Sequence, residues 1–324
     1  MDDYSPAPRI VAGRGSRRAG VDCRLPTLSD RSGPYRRETG VRDVARAVEA
    51  ARSAASGLGL EAEEAIVLHT SNRVAIRLLP SDVLARVAPA AHQAAHFEVD
   101  LAVRLAAPHA PVAALDPRVA PRVYERDGFT ITLWTYYASE SSRLLAPADY
   151  ADALKRLHVR MDDVELSTPD FMDRVKEAEE LVASRERTPD LGDADRNLLT
   201  STFTTVTRAI RNRGAREQLL HGEPHPGNVL NTKNGPLFID LETCCRGPVE
   251  FDLAHVPIEV SERYPNVDDA LLSQCRVLVL AMVAAWRLDP EDRFPSGGQA
   301  AQEILGALRA GPPYPPLGAI TGLE

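Results

Sequence analysis

The chain has 324 residues, enough for one large or two modest domains with a substantial core. Hydrophobic residues make up 44% and charged residues 26%, a balance that excludes fibrous and disordered classes for most of the chain. The net charge of −8 is uneven: residues 1–58 hold eleven Arg and no Lys against seven acids, a net +4, and the rest at −12 disfavours nucleic acid and favours a cationic ligand.

Residues 1–38 are rich in Arg, Pro, Gly and Ser without periodicity and read as a loosely attached arm. Val41 to Ser56 has a helical apolar stripe and stops at Gly57. Ile66–Leu68, Val74–Leu79 and Val83–Val87 read as strands, the last two joined by a Pro80-Ser81-Asp82 turn. Pro89 is expected to open a helix carrying Phe97, Leu101 and Leu105 on one stripe. Val119–Tyr124 and Phe129–Trp134 form an expected hairpin around Asp127-Gly128.

From Pro147 the pattern turns helical. One helix covers Ala148–Met161. A second is capped by Ser167 and carries Phe171, Val175, Ala178 and Val182. A third runs from Asp193 to Arg213. Val229–Asn231 and Leu237–Asp240 flank a tight turn at Lys233-Asn234-Gly235. Apolar helices follow at Asp268–Leu288 and Gln299–Ala310, and the Pro-rich stretch Gly311–Pro316 is read as the end of the fold. The order implies an α+β chain: a small antiparallel sheet with one main helix (39–135), a connector near Trp134–Tyr137, and a larger, mainly helical part (136–324). A cleft between two such lobes suits a nucleotide. Four cysteines lack metal spacing, with Cys244 and Cys245 adjacent, as in a reducing compartment. No secretory signal is visible, and the longest apolar run, Val277–Trp286, is too short to span a bilayer. The expectation is a cytoplasmic protein with no membrane or protein partner.

The chemistry concentrates in Leu219–Ala254. Two prolines and two glycines in His221-Gly222-Glu223-Pro224-His225-Pro226-Gly227-Asn228 forbid a helix and impose a rigid loop. A purely structural loop needs no acid, amide and histidine pair. Phosphoryl transfer does: one acid orients the acceptor hydroxyl, while an amide and a second acid hold Mg²⁺. A zinc protease would need H-E-x-x-H on a helix. A zinc deaminase would need P-C-x-x-C downstream of H-x-E, which Cys244-Cys245 does not supply.

The stretch resembles the H-G-D-x-H-x-x-N motif of the aminoglycoside phosphotransferase family, whose relatives include choline kinases. Phe238-Ile239-Asp240-Leu241-Glu242 is similar to the family's I-D-W/F-E, Gly247-Pro248 and Phe251-Asp252-Leu253-Ala254 to its G-P…Y-D-L-A, and Ala153–His158 to its L-x-x-L-H helix. The match is dense over 150–260, diffuse over 40–145 and absent over 1–38. The resemblance implies a two-lobed, protein-kinase-like fold. It also implies transfer of the γ-phosphoryl group of ATP or GTP to a hydroxyl of a small, possibly amine-bearing molecule, with Mg²⁺. Glu223 would orient the acceptor hydroxyl, Asn228 and Asp240 would hold the metal, and His221, Asp252 and His225 would brace the loop. Acidic residues Glu242, Glu250 and Glu259 would face an amine-bearing substrate.

Two departures stand out. The acid is Glu rather than Asp, and an extra methylene displaces a carboxylate by about 1.5 Å. A misplacement of that size can cost roughly 10²-fold in rate. No Lys precedes Lys155, so the strand lysine that grips the α- and β-phosphates is missing. Arg86 is the best replacement and Arg77 the second, with Glu98 as partner. Ser71, in the glycine-free His69–Arg73 loop, would cover the phosphates, and Trp134 and Tyr136 would line the base. An enzyme is the favoured reading. The alternative is a nucleotide-binding pseudokinase, a regulatory module that Glu223 has disabled.

Overall fold

The computed structural model describes residues 41–71, 73–90, 94–140, 145–292, 294 and 296–322. The expected arm at 1–38 lies outside them, as does Asn72 of the expected phosphate loop. Of the described residues, 41–106 and 112–138 form one compact unit, and 107–111 with 139–322 form another.

The first unit opens with α1 (Val41–Gly57). It continues with β1 (Ala62–Thr70), β2 (Val74–Pro80), β3 (Val83–Pro89), α2 (Ala94–Leu105), β4 (Tyr124–Arg126) and β5 (Phe129–Thr135). The strands form one antiparallel sheet in the order β1-β2-β3-β5-β4. Alternation gives this sheet two chemically different faces. Val74, Ile76 and Leu78, Val83, Ala85 and Val87, and Phe129, Ile131 and Leu133 share one core with Ala47, Ala50, Ala51 and Ala54 of α1. Those alanines recur at helical spacing and carry no bulk, so α1 lies close on the sheet. The alternate positions bring out Arg86, Thr132 and Trp134, with Arg86 opposite Thr132 and Leu84 opposite Trp134.

Several expectations shift. Pro89 ends β3 instead of opening a helix; a residue without an N–H suits a strand end, and α2 begins at Ala94. The expected strand Val119–Tyr124 is confined to Tyr124–Arg126, because Pro117 and Pro121 interrupt any ladder before it. β1 runs well beyond Ile66–Leu68. It is an edge strand, where charged residues such as Glu63 are at home.

The second unit holds α3 (Pro147–Asp162), α4 (Phe171–Ala183), α5 (Asp193–Arg213), β6 (Gln218–Leu220), β7 (Val229–Thr232), β8 (Gly235–Phe238) and β9 (Cys245–Gly247). After these come α6 (Val249–Leu253), α7 (Ile258–Ser261), α8 (Asp269–Arg287), α9 (Gly297–Ala310) and α10 (Leu317–Thr321). The chain is thus α+β, with a five-stranded antiparallel sheet first and a mostly helical part after it. β6 pairs with β9 and β7 with β8. α8 packs against α4, α5, α6 and α9 and is apolar almost all round. Among the described residues it alone is long and apolar enough to cross a membrane, and 72% of that stretch is buried inside the protein.

Asp170, not Ser167, caps α4. Its side chain accepts from the Met172 N–H at 2.8 Å, and Asp173 accepts from the Asp170 N–H at 2.9 Å. The reciprocal box sits three residues later than expected because an aspartate there also complements the helix dipole. The Pro-rich stretch after α9 does not end the fold: Pro316 introduces α10, whose Leu317 and Thr321 are buried.

Candidate active site

The loop from His221 to Asn228 leaves buried β6 and enters β7. Its frame is fixed by one fully buried carboxylate. Asp252 of α6 accepts from the His221 N–H (2.9 Å) and the Gly222 N–H (2.8 Å). The same carboxylate meets His158 Nε2 of α3 at 2.9 Å, while His158 Nδ1 is 2.8 Å from the Tyr264 hydroxyl. With Nε2–H donating to Asp252, Nδ1 is left to accept from Tyr264. Burial pushes the Asp252 carboxyl up, but the His158 hydrogen bond and the surrounding histidines outweigh it and hold it below the usual range. Gly222 is obligatory. Its φ is +88°, and a Cβ there would lie 2.0 Å from the Thr243 carbonyl oxygen.

His221 donates from Nε2 to the Ile239 carbonyl at 2.9 Å, which ties the loop to the residue before Asp240. His225 Nδ1 accepts from the Gly227 N–H at 3.1 Å and caps the 3₁₀ turn Pro226–Asn228. Burial drives His225 down to about 4, and His221 and His255 below their ordinary values. The Tyr150 hydroxyl donates to the Pro224 carbonyl.

The β7–β8 hairpin sets Asn228 just before one strand and Asp240 just after the other, and the Ile239 N–H donates to the Asn228 carbonyl at 3.0 Å. Asn228 is fully buried. Its Nδ2 donates to the Glu223 carbonyl at 3.0 Å, while its Oδ1 meets no hydrogen-bond partner among the described residues. Asp240 is held at φ +67°, a left-handed conformation that costs a non-glycine residue roughly 1–3 kcal/mol and marks functional sites. An orphaned amide oxygen and a nearby carboxylate are the hard oxygen donors that Mg²⁺ takes, so these residues fit that ion.

Glu223 is 0% exposed. Its Oε1 pairs with Arg174 of α4, and its Oε2 has no partner among the described residues. Burial pushes the carboxyl up, but Arg174, then His225 and His255, outweigh this and hold it below the usual carboxylate range. Arg174 lay outside every motif, 49 residues from its partner.

The acidic residues are dispersed. Glu250 is buried and its Oε1 accepts from the Asp268 N–H at 3.0 Å, so it holds the cap of α8 rather than facing a substrate. Glu259 is exposed on the short α7, and Glu242 is half-buried in the 3₁₀ turn after Asp240.

In the first unit Arg86 and Glu98 meet, Nη1 to Oε1 at 2.6 Å, with Glu98 1% exposed: a buried pair, not a surface one. Arg73, within the expected phosphate loop but given no role there, pairs with the other oxygen, Oε2. Arg77 instead bonds Asp82 (2.6 Å), with its guanidinium 3.9 Å from the Tyr136 ring centroid. The Ser71 N–H donates to the Arg73 carbonyl at 2.8 Å and closes the turn before β2. Trp134 is buried; its indole N–H donates to Thr132 at 2.8 Å and Arg86 lies 5.8 Å from its ring, so it serves the sheet rather than an open wall.

The chain resembles several solved kinases in fold. Amicoumacin kinase hAmiN, in complex with AMP-PNP, Ca²⁺ and Ami, is 10% identical with a TM-score of 0.61, covering 85% of this chain and 98% of that one. A choline/ethanolamine kinase family protein from Mesorhizobium loti is 16% identical with a TM-score of 0.56, covering 87% and 99%. A variant of aminoglycoside 2'-phosphotransferase-IIIa in complex with GDP is 14% identical with a TM-score of 0.61, covering 82% and 97%. No curated protein matches the sequence. The model of the phosphotransferase enzyme family, APH, matches residues 63–274, which include the Arg86–Glu98 pair and the whole loop from Glu223 to Asp252. The chain belongs to this family of phosphotransferases.

Proposed function

We propose that this phosphotransferase moves the γ-phosphoryl group of ATP or GTP onto a hydroxyl of a small, amine-bearing molecule in the cytoplasm. The observation that carries the reading is the Asp252-anchored loop, in which the Asn228 amide donates to the Glu223 carbonyl and the Ile239 N–H, one residue before Asp240, donates to the Asn228 carbonyl. Glu223 Oε2 accepts the acceptor's hydroxyl proton as that oxygen bonds the γ-phosphorus and the bond to the β-phosphate oxygen breaks, releasing the nucleoside diphosphate. Asn228 Oδ1 and Asp240 would hold Mg²⁺, which when bound neutralises phosphate charge. Arg86, ordered by Glu98, supplies guanidinium donors for the phosphates.

An amine-bearing acceptor draws support from neighbours named for choline, ethanolamine and aminoglycosides, and from the negative charge of the chain beyond residue 58. A nucleotide-binding pseudokinase is the second reading, favoured by the complete burial of Glu223. The test is diphosphate release from Mg·ATP and Mg·GTP across a panel of hydroxylated amines, antibiotics, nucleosides and sugars. Acceptor-dependent release that Asp240→Ala abolishes supports the enzyme; nucleotide binding without it supports the pseudokinase. Absence of any magnesium-nucleotide affinity in calorimetry overturns both.

A further inference from the structure

Glu223 is longer by one methylene than the family's usual acid, and it is not alone: its Oε1 pairs with Arg174. Arg174 sits on a helix whose placement leaves it little freedom. The capping box of Asp170 and Asp173 fixes the start of α4, the Arg246 N–H donates to the Pro169 carbonyl at 2.8 Å, and the Phe171 ring packs against Phe251 with centroids 5.1 Å apart. Phe251 precedes Asp252, so the helix bearing Arg174 packs on the element that fixes the loop. The guanidinium lies 5.2 Å from the Trp286 ring centroid of α8, and its Nη1 is near enough to Gly222 that a Cβ there would lie 3.5 Å away. A rigid cation is thus packed against the loop, holding one carboxylate oxygen and leaving the other, Oε2, buried with no partner among the described residues. A buried acceptor left unmatched is costly, and it is expected where a ligand completes the bond.

We infer that Arg174 is a positioning residue for Glu223: its guanidinium holds Oε1 so that Oε2 is the oxygen offered to the acceptor hydroxyl, and glutamate is the acid length this arginine requires. The inference rests on the phosphotransfer reading of Glu223 given above. An aspartate on the same frame falls about 1.5 Å short and cannot keep the arginine contact and the reacting position together. The opposed role for the pair, a lock that withdraws the acid from chemistry, makes the contrary prediction that breaking it raises the rate.

The experiment is a double-mutant cycle on the full chain with Arg174→Met, Glu223→Asp and both together. It reads kcat and KM with the acceptor returned by the diphosphate-release panel, with melting curves alongside. Each single variant should lower kcat about 10²-fold with nucleotide KM within about twofold. The double variant should be no slower than the worse single. Arg174→Lys, which keeps the buried charge but not the planar guanidinium, should lower kcat by about three- to tenfold; if Arg174→Met does not fold, the cycle is run with Arg174→Lys. Multiplicative losses, an unchanged kcat in the Arg174 variants or a faster Arg174→Met overturns the inference alone. A wild-type chain with no acceptor-dependent turnover overturns the phosphotransfer reading instead.

Discussion

Two buried arginine–glutamate pairs, one in each unit, look alike and differ in the use of the carboxylate. Glu98 gives one oxygen to Arg73 and the other to Arg86. Glu223 gives one oxygen to Arg174 and keeps the other unmatched. A carboxylate with both oxygens taken by guanidinium is a grip that orders the arginines. A carboxylate with one oxygen taken has reactive capacity left, at the cost of an unmet acceptor in a dry place. Burial and ion pairing, which the two share, therefore do not tell them apart; the number of oxygens already matched does.

The comparison breaks most sharply under amide substitution. Glu223→Gln should reduce kcat about 10³-fold while nucleotide KM stays within about threefold, since a carboxamide cannot take the proton. Glu98→Gln should act differently. It removes the whole countercharge that Glu98 supplies to two buried guanidiniums, lowers stability by about 3 kcal/mol and raises nucleotide KM about tenfold. Steady-state kinetics and urea unfolding on both variants would show it, and matching kinetic patterns would refute the distinction.

Acid should separate the units next. All four buried histidines among the described residues, His158, His221, His225 and His255, lie in the second unit. The folded pKa of His225 is lowered from 6.5 to about 4. The unfolded chain therefore takes up its proton first, and stability falls as pH drops from about 6.5 towards about 4, by up to about 1.4 kcal/mol per pH unit for one histidine. Asp252, whose folded pKa is also lowered, extends the loss below the usual carboxylate range. Urea midpoints at pH 7.5 and 5.0 should drop accordingly, and His225→Asn should flatten that slope.

The smallest expected effect sharpens the choice of phosphate-gripping arginine. Arg77 and Asp82 are partly exposed, so Arg77→Met should change stability by about 0–1 kcal/mol and leave nucleotide KM unchanged. A KM increase matching that of Arg86→Met would return Arg77 to the phosphates.

Much of this was legible in the sequence because it is local. The prolines and glycines of the loop dictate its shape, and the Asp127-Gly128 turn and the span of α5 follow from short-range signals. The brace at Asp252 was found through a motif. Arg174 was not, because its contact spans 49 residues and its helix reads as an ordinary amphipathic one. Arg73 stood in the right loop, yet nothing nearby in the chain announces a carboxylate 25 residues on. β4 was overextended because hydropathy counts valines and overlooks what Pro117 and Pro121 do to a ladder.

The carboxylate of Asp252 binds the backbone amides of positions 221 and 222, not their side chains. The scaffold of the turn is therefore indifferent to which acid follows it, and residue 223 can be exchanged together with its partner on α4 without rebuilding the mount.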